Sequence, residues 1–158
     1  MPDATQRGPA IDRRRVMAAG AGVVVAALLP ASVGAEALAP AAEEALAKIL
    51  GGAKPVAGRI TLELPEIAEN GNTVPFSVAV ESPMTETDYV KAIHLVATGN
   101  PSPPGGTFRF TVLSGKAALS SRIRLARTQD VIAIAELSSG AFLMKTQVVK
   151  VTIGGCGG

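Results

Sequence analysis

Two hydrophobic periods divide the chain. Over Glu36–Leu50 the apolar residues Ala42, Leu46, Ile49 and Leu50 recur at helical spacing and give one stripe. Pro40 suits the first turn, Glu43 and Glu44 favour the positive end, and Lys48 falls in the last turn. Gly51-Gly52 stops the helix. From Arg59 the period falls to two. Ile60, Leu62 and Leu64 alternate with Thr61 and Glu63, and Val74, Phe76, Val78 and Val80 form a second alternating run. Between them Asn70-Gly71 reads as a tight-turn dipeptide, and Pro75 points to an edge strand or a bulge.

Further strands are expected over Tyr89–Ala97, Thr107–Leu113, Ala118–Ala126, Val131–Leu137 and Ala141–Ile153. The link Gly99–Gly106 holds three Pro and three Gly, which marks a turn-rich connection. With about seven strands, short links and no later helix, parallel crossovers have no room. The expected fold is all-β, an immunoglobulin-like antiparallel β-sandwich with an N-terminal helix and a flexible C-terminal Gly-Gly-Cys-Gly-Gly arm.

The residues before the helix read differently. Arg13, Arg14 and Arg15 precede Val16–Leu29, an uncharged apolar run of 14 residues. A permanent membrane span needs ~20 such residues, so no permanent anchor is expected here. Small residues follow Pro30, and cleavage is expected after Ala35, or alternatively after Ala37. Arg13-Arg14-Arg15-Val16-Met17 has the pattern of a twin-arginine signal, with Arg13 and Arg14 as the pair, so export in the folded state is expected. The organisation is then a signal over residues 1–35, a domain over 36–153 and an arm over 154–158.

Composition changes the picture in two ways. The formal net charge is +2, but the signal segment holds four of the 15 basic residues and two of the 13 acidic ones. The 11 and 11 that remain cancel, which excludes the net basic face of a nucleic-acid-binding domain. There is also one cysteine, which cannot form an internal disulfide, and in an oxidising compartment a lone thiol invites intermolecular pairing or a reactive role.

Chemistry is otherwise sparse. His94, the one histidine, sits between apolar neighbours in mid-strand and reads as a satisfied, partly buried side chain. One Cys and one His fall short of a zinc ligand set, and no phosphate-binding glycine loop appears. No metal, cofactor or catalytic residue is expected. Arg122, Arg124 and Arg127 read as the solvated face of a strand. The tail differs: Cys156 is flanked by Gly154 and Gly155 on one side and Gly157 and Gly158 on the other. Those glycines remove neighbouring side chains and free the backbone. Three residues at ~3.3–3.6 Å each carry the thiol about 10 Å beyond Ile153. No Lys, Arg or His lies within five residues of Cys156, so its activation must come from another protein. The arrangement suits a covalent carrier and not an autonomous catalyst.

The closing Val149-Lys150-Val151-Thr152-Ile153-Gly154-Gly155-Cys156-Gly157-Gly158 resembles the SoxY family, the cysteine-bearing sulfur carriers of bacterial thiosulfate oxidation. Asn100-Pro101-Ser102-Pro103, Phe108-Arg109-Phe110-Thr111 and Arg122–Gln129 carry the same likeness. The resemblance implies periplasmic work, sulfur attachment at Cys156 and a SoxZ-like partner in a heterodimer. It further implies three enzymes: a c-type cytochrome that loads thiosulfate, a hydrolase that releases sulfate, and a sulfur dehydrogenase. A disulfide-linked dimer through Cys156 is a further expectation. Two rival readings exist. A ubiquitin-like carrier would load sulfur on the Gly158 carboxylate, but its central helix and need for ATP disagree with this order of elements and with export. An exported structural or adhesive sandwich leaves the arm unexplained.

Overall fold

A computed structural model describes residues 37–155. Arg13, Arg14 and the expected cleavage site after Ala35 lie outside the described residues, as do Cys156, Gly157 and Gly158; the alternative site after Ala37 falls at their start. Helix α1 spans Pro40–Leu50, four residues shorter at its start than the spacing predicts. The cause is Pro40 itself, whose ring disfavours helical backbone at the residue before it. Ala39 is accordingly extended (φ −61°, ψ 141°). Gly51 ends α1 in the left-handed region at φ 58°, its N–H donating to the Ala47 carbonyl. The Glu44–Lys48 ion pair is exposed and contributes little.

Eight strands follow: β1 (Ile60–Glu63), β2 (Ile67–Asn70), β3 (Val74–Val80), β4 (Val90–Ala97), β5 (Pro104–Arg109), β6 (Ala117–Ile123), β7 (Gln129–Leu137) and β8 (Phe142–Ile153). They form a three-stranded sheet in the order β1-β3-β6 and a five-stranded sheet in the order β2-β8-β7-β4-β5. The mostly β, two-sheet architecture with its N-terminal helix is the one the periodicity predicts.

Four details differ from the sequence expectation. Strand β2 is additional, and it pairs with β8 in parallel, Ile67 opposite Lys150 and Asn70 opposite Ile153. Asn70-Gly71 is therefore not a hairpin turn; it is where the chain leaves β2 and passes to the other sheet in β3. Strand β3 is central rather than an edge. Its ladder with β1 nevertheless stops at Glu63 opposite Ser77, so Pro75 lies beyond β1 and is paired on one side alone, with β6. Finally, β5 begins earlier than expected, at Pro104, which the sheet edge tolerates, and Val112–Ser114 form a 3₁₀ turn instead of strand.

The sandwich core holds Leu62, Val74, Phe76, Val78, Ile123 and Leu125 from one side and Ile93, Leu95, Val131, Leu143 and Val149 from the other. Strand β7 is buried on both faces because α1 lies over the outer face of its sheet. Ala45, Leu46, Ile49 and Leu50 pack there against Val96, Ile132, Ile134, Phe142 and Met144. That packing supplies the stability a helix of 11 residues lacks alone.

Candidate functional site

Strand β8 delivers the chain end to the surface: Val149 is fully buried, Val151 half-buried and Ile153 exposed. Alongside it, β2 brings Gly71 level with the strand's last residue. The Gly71 N–H donates to the Ile153 carbonyl at 2.7 Å, and the Gly71 carbonyl accepts from the Leu125 N–H at 2.8 Å. The Leu125 carbonyl in turn accepts from the Gly155 N–H at 2.9 Å. Thr128 Oγ1 accepts from the Val151 N–H at 3.0 Å. Gly154 and Gly155 thus enter a clasp made of Gly71 on one side and Leu125–Ala126 on the other.

The clasp has no room for a Cβ. One added at Gly71 would run into the Leu125 carbonyl oxygen, and one at Gly154 into that of Ala126. At Gly155 it would lie 2.6 Å from the Gly71 oxygen and 3.0 Å from the Asn72 nitrogen. These three glycines are set by close approach of backbone to backbone. In this structure Gly155 is buried, so the chain is held as far as the residue before Cys156.

The Leu125–Ala126 wall rests on a buried amide pair. Asn100 Nδ2 donates to the Arg124 carbonyl at 2.8 Å, and Asn100 Oδ1 accepts from the Ala126 N–H at 2.9 Å. Gln129 Nε2 donates both to Asn100 Oδ1 (2.9 Å) and to the Arg127 carbonyl (3.0 Å), while its Oε1 accepts from the Gly99 N–H at 2.8 Å. No buried side-chain polar atom lacks a partner among the described residues.

The other candidates fall elsewhere. His94 lies opposite Ile134, which pairs with Met144, nine residues back along β8 from Ile153 and so roughly 30 Å from the strand end. It is half-buried, and its Nδ1 is 3.0 Å from Thr107 Oγ1. Burial, helped by Arg109 and opposed by Glu136, holds its imidazole below the ordinary value of 6.5. The unfolded chain therefore takes up this proton first as pH falls, and stability is lost on acidification below pH 6.5. His94→Gln is expected to flatten that loss; identical thermal midpoints shifts for both proteins between neutral and acidic pH would refute it. Arg122, Arg124 and Arg127 are exposed, but β6 ends at Ile123, so of the three Arg122 alone lies on a strand and the others belong to the link before β7. Among the described residues no group of three His, Cys, Asp or Glu side chains is placed to hold a metal.

Sequence reasoning missed the clasp because two of its parts read as ordinary loops. Gly71 was concealed in a turn dipeptide and Asn100 in a Pro- and Gly-rich link, although Asn100 and Gln129 both fall in segments that carry the family likeness.

The site thus sits on a small two-sheet sandwich whose last strand leads into Gly154 and Gly155. The family model "Sulfur oxidation protein SoxY" matches residues 46–156, from α1 through Cys156. The chain belongs to the SoxY family, and as such is a sulfur carrier protein and not an enzyme. Among solved structures it is similar to the sulfur carrier protein SoxY of Chlorobium limicola f thiosulfatophilum, with 29% identity, a TM-score of 0.58, and 70% of this chain and 96% of that one covered. Superoxide reductases share the fold alone. That of Ignicoccus hospitalis is 16% identical (TM-score 0.51, 60% and 80% covered), and that of Nanoarchaeum equitans 11% (TM-score 0.51, 61% and 99% covered). No curated protein matches the chain.

Proposed function

We propose that the thiol of Cys156 is the covalent attachment point for thiosulfate-derived sulfur. The observation that carries this reading is positional: the chain's one cysteine directly follows the clasped Gly155, at the end of the segment matched by the family model. Loading joins the thiol sulfur to the outer sulfur of thiosulfate. The thiol proton is released and two electrons pass to a c-type cytochrome enzyme. Water then cleaves the terminal sulfonate as sulfate, leaving a persulfide on Cys156 for oxidation by a sulfur dehydrogenase or for transfer. The chain supplies the thiol and its presentation, and the enzymes supply the activation.

The working complex is a heterodimer with a SoxZ-like subunit. Ile67 on β2 and Val148 on β8, 59% and 56% exposed, are apolar side chains suited to a partner surface. Without that partner, air oxidation joins two chains through Cys156. The place of work is the periplasm, reached by the twin-arginine route, and Gly154, Gly155, Gly157 and Gly158 give the arm its freedom once the clasp lets go. Changing Arg13 and Arg14 to Lys is expected to strand the precursor in the cytoplasm; undiminished export of that variant would refute the route. The attachment itself is tested by tandem mass spectrometry of the C-terminal peptide from protein isolated from its native compartment. Sulfur adducts on Cys156 are expected, and adducts confined to the Gly158 carboxylate would replace this reading with the ubiquitin-like one.

A further inference from the structure

Cys156 is covalently bound to Gly155, so the two Cα atoms lie ~3.8 Å apart whatever else the tail does. Gly155 is buried and hydrogen-bonded to Leu125, so the chain is held up to the residue before the thiol. Freed from Ile153 onward, the same residue reaches about 10 Å. The difference is the length of chain the clasp holds.

The geometry points to a latch. Gly71, Leu125 and Ala126 hold Gly154 and Gly155, the root of the arm, in a closed state. Opening frees Gly154 and Gly155 and extends the thiol's reach. Asn100 and Gln129 are positioning residues in this device, since they fix the wall against which the arm closes. The inference rests on Cys156 as the attachment point and adds to it a control of reach.

Three features favour a latch over a permanent seam. The contacts are a few backbone hydrogen bonds, with no side chain of Gly154 or Gly155 to bury. The parallel ladder ends at Asn70 opposite Ile153, so the glycines beyond it belong to no sheet. Ile153, beside the clasp, is 66% exposed and adds little packing to keep it shut. A closing interaction of one or two ordinary hydrogen bonds gives an open population that is small but readily reached.

The test uses the full mature chain with its co-purifying partner. In the unaltered protein the Gly155 amide should exchange with solvent more slowly than in the free peptide Ile-Gly-Gly-Cys-Gly-Gly. Gly71→Ala lies far from the arm in sequence and leaves the arm's composition intact. Its Cβ meets the Leu125 carbonyl, so it should speed Gly155 exchange by roughly fivefold or more, the worth of one ordinary hydrogen bond, while amides of β4 and β7 keep their rates. The same shift should appear at the thiol. A polymer-bearing maleimide needs the extended arm and N-ethylmaleimide does not, so the ratio of their rates rises in proportion. If Gly71→Ala does not fold, Gly154→Ala replaces it, since its clash with the Ala126 carbonyl falls after the last strand pair. Peptide-like exchange at Gly155 in the unaltered protein, or unchanged exchange and reagent ratio in the folding variant, overturns the latch. Amide exchange needs no cargo, so it separates a failed latch from a failed attachment site, which would show as cargo surviving in Cys156→Ser.

Discussion

Cys156→Ser is expected to give a protein that folds and is exported normally yet carries no sulfur. Serine keeps the size of the side chain and removes the one atom able to hold a persulfide or thiosulfonate, and the chain has no second cysteine to substitute for it. The residue follows the last strand and is flanked by glycines on both sides. Stability should therefore change by no more than ~0.5 kcal/mol, as at other positions outside a core. The loss should be complete because no partial chemistry replaces a missing attachment atom. Intact-mass measurement of the variant from its native compartment, beside a urea unfolding curve, reads both halves. Cargo at the unaltered protein's level would refute the assignment of Cys156.

Asn100→Ala should act in the opposite way, through the fold. Its amide makes three hydrogen bonds: to the Arg124 carbonyl, from the Ala126 N–H and from Gln129 Nε2. Alanine leaves those groups in a pocket with nothing to replace the amide, and each stranded buried group costs ~1–3 kcal/mol. A loss of about 3 kcal/mol is expected, because the segment can relax partly towards solvent. For a domain of this size the thermal midpoint should drop by roughly 10 °C. Asn100→Asp keeps the acceptor but turns a carboxylate oxygen towards the Arg124 carbonyl in a buried site, so it should cost at least as much. An alanine variant within ~0.5 kcal/mol of the unaltered protein would show that the amide network does not brace the wall.

Much of this architecture was legible along the chain, and the exceptions share a cause. The alternation Val74, Phe76, Val78, Val80 gave β3 because one side of that strand faces the core and the other does not. Helix α1 was legible from its stripe and its Gly51 stop, and Cys156 from its uniqueness. Strand β2 was not, since Ile67-Ala68-Glu69-Asn70 buries one residue of four and carries no clear period. Its conformation comes from pairing with a strand more than eighty residues later, which no local pattern encodes. The clasp was hidden for a related reason. Glycine in sequence announces backbone freedom, whereas Gly71, Gly154 and Gly155 are required for the opposite, the close approach of three separate stretches of backbone.

The parallel pairing of β2 with β8 has a consequence for the order of folding. It closes a loop from Ile67 to Lys150, nearly the whole span of the strands, and such long-range closures are entropically costly and form after local hairpins such as β7–β8. The exit of the carrier tail, built from residues near 71, 125 and 155, is therefore among the last parts of the domain to assemble. A chain that stalls part-way owns the thiol but not the three stretches of backbone that hold Gly154 and Gly155.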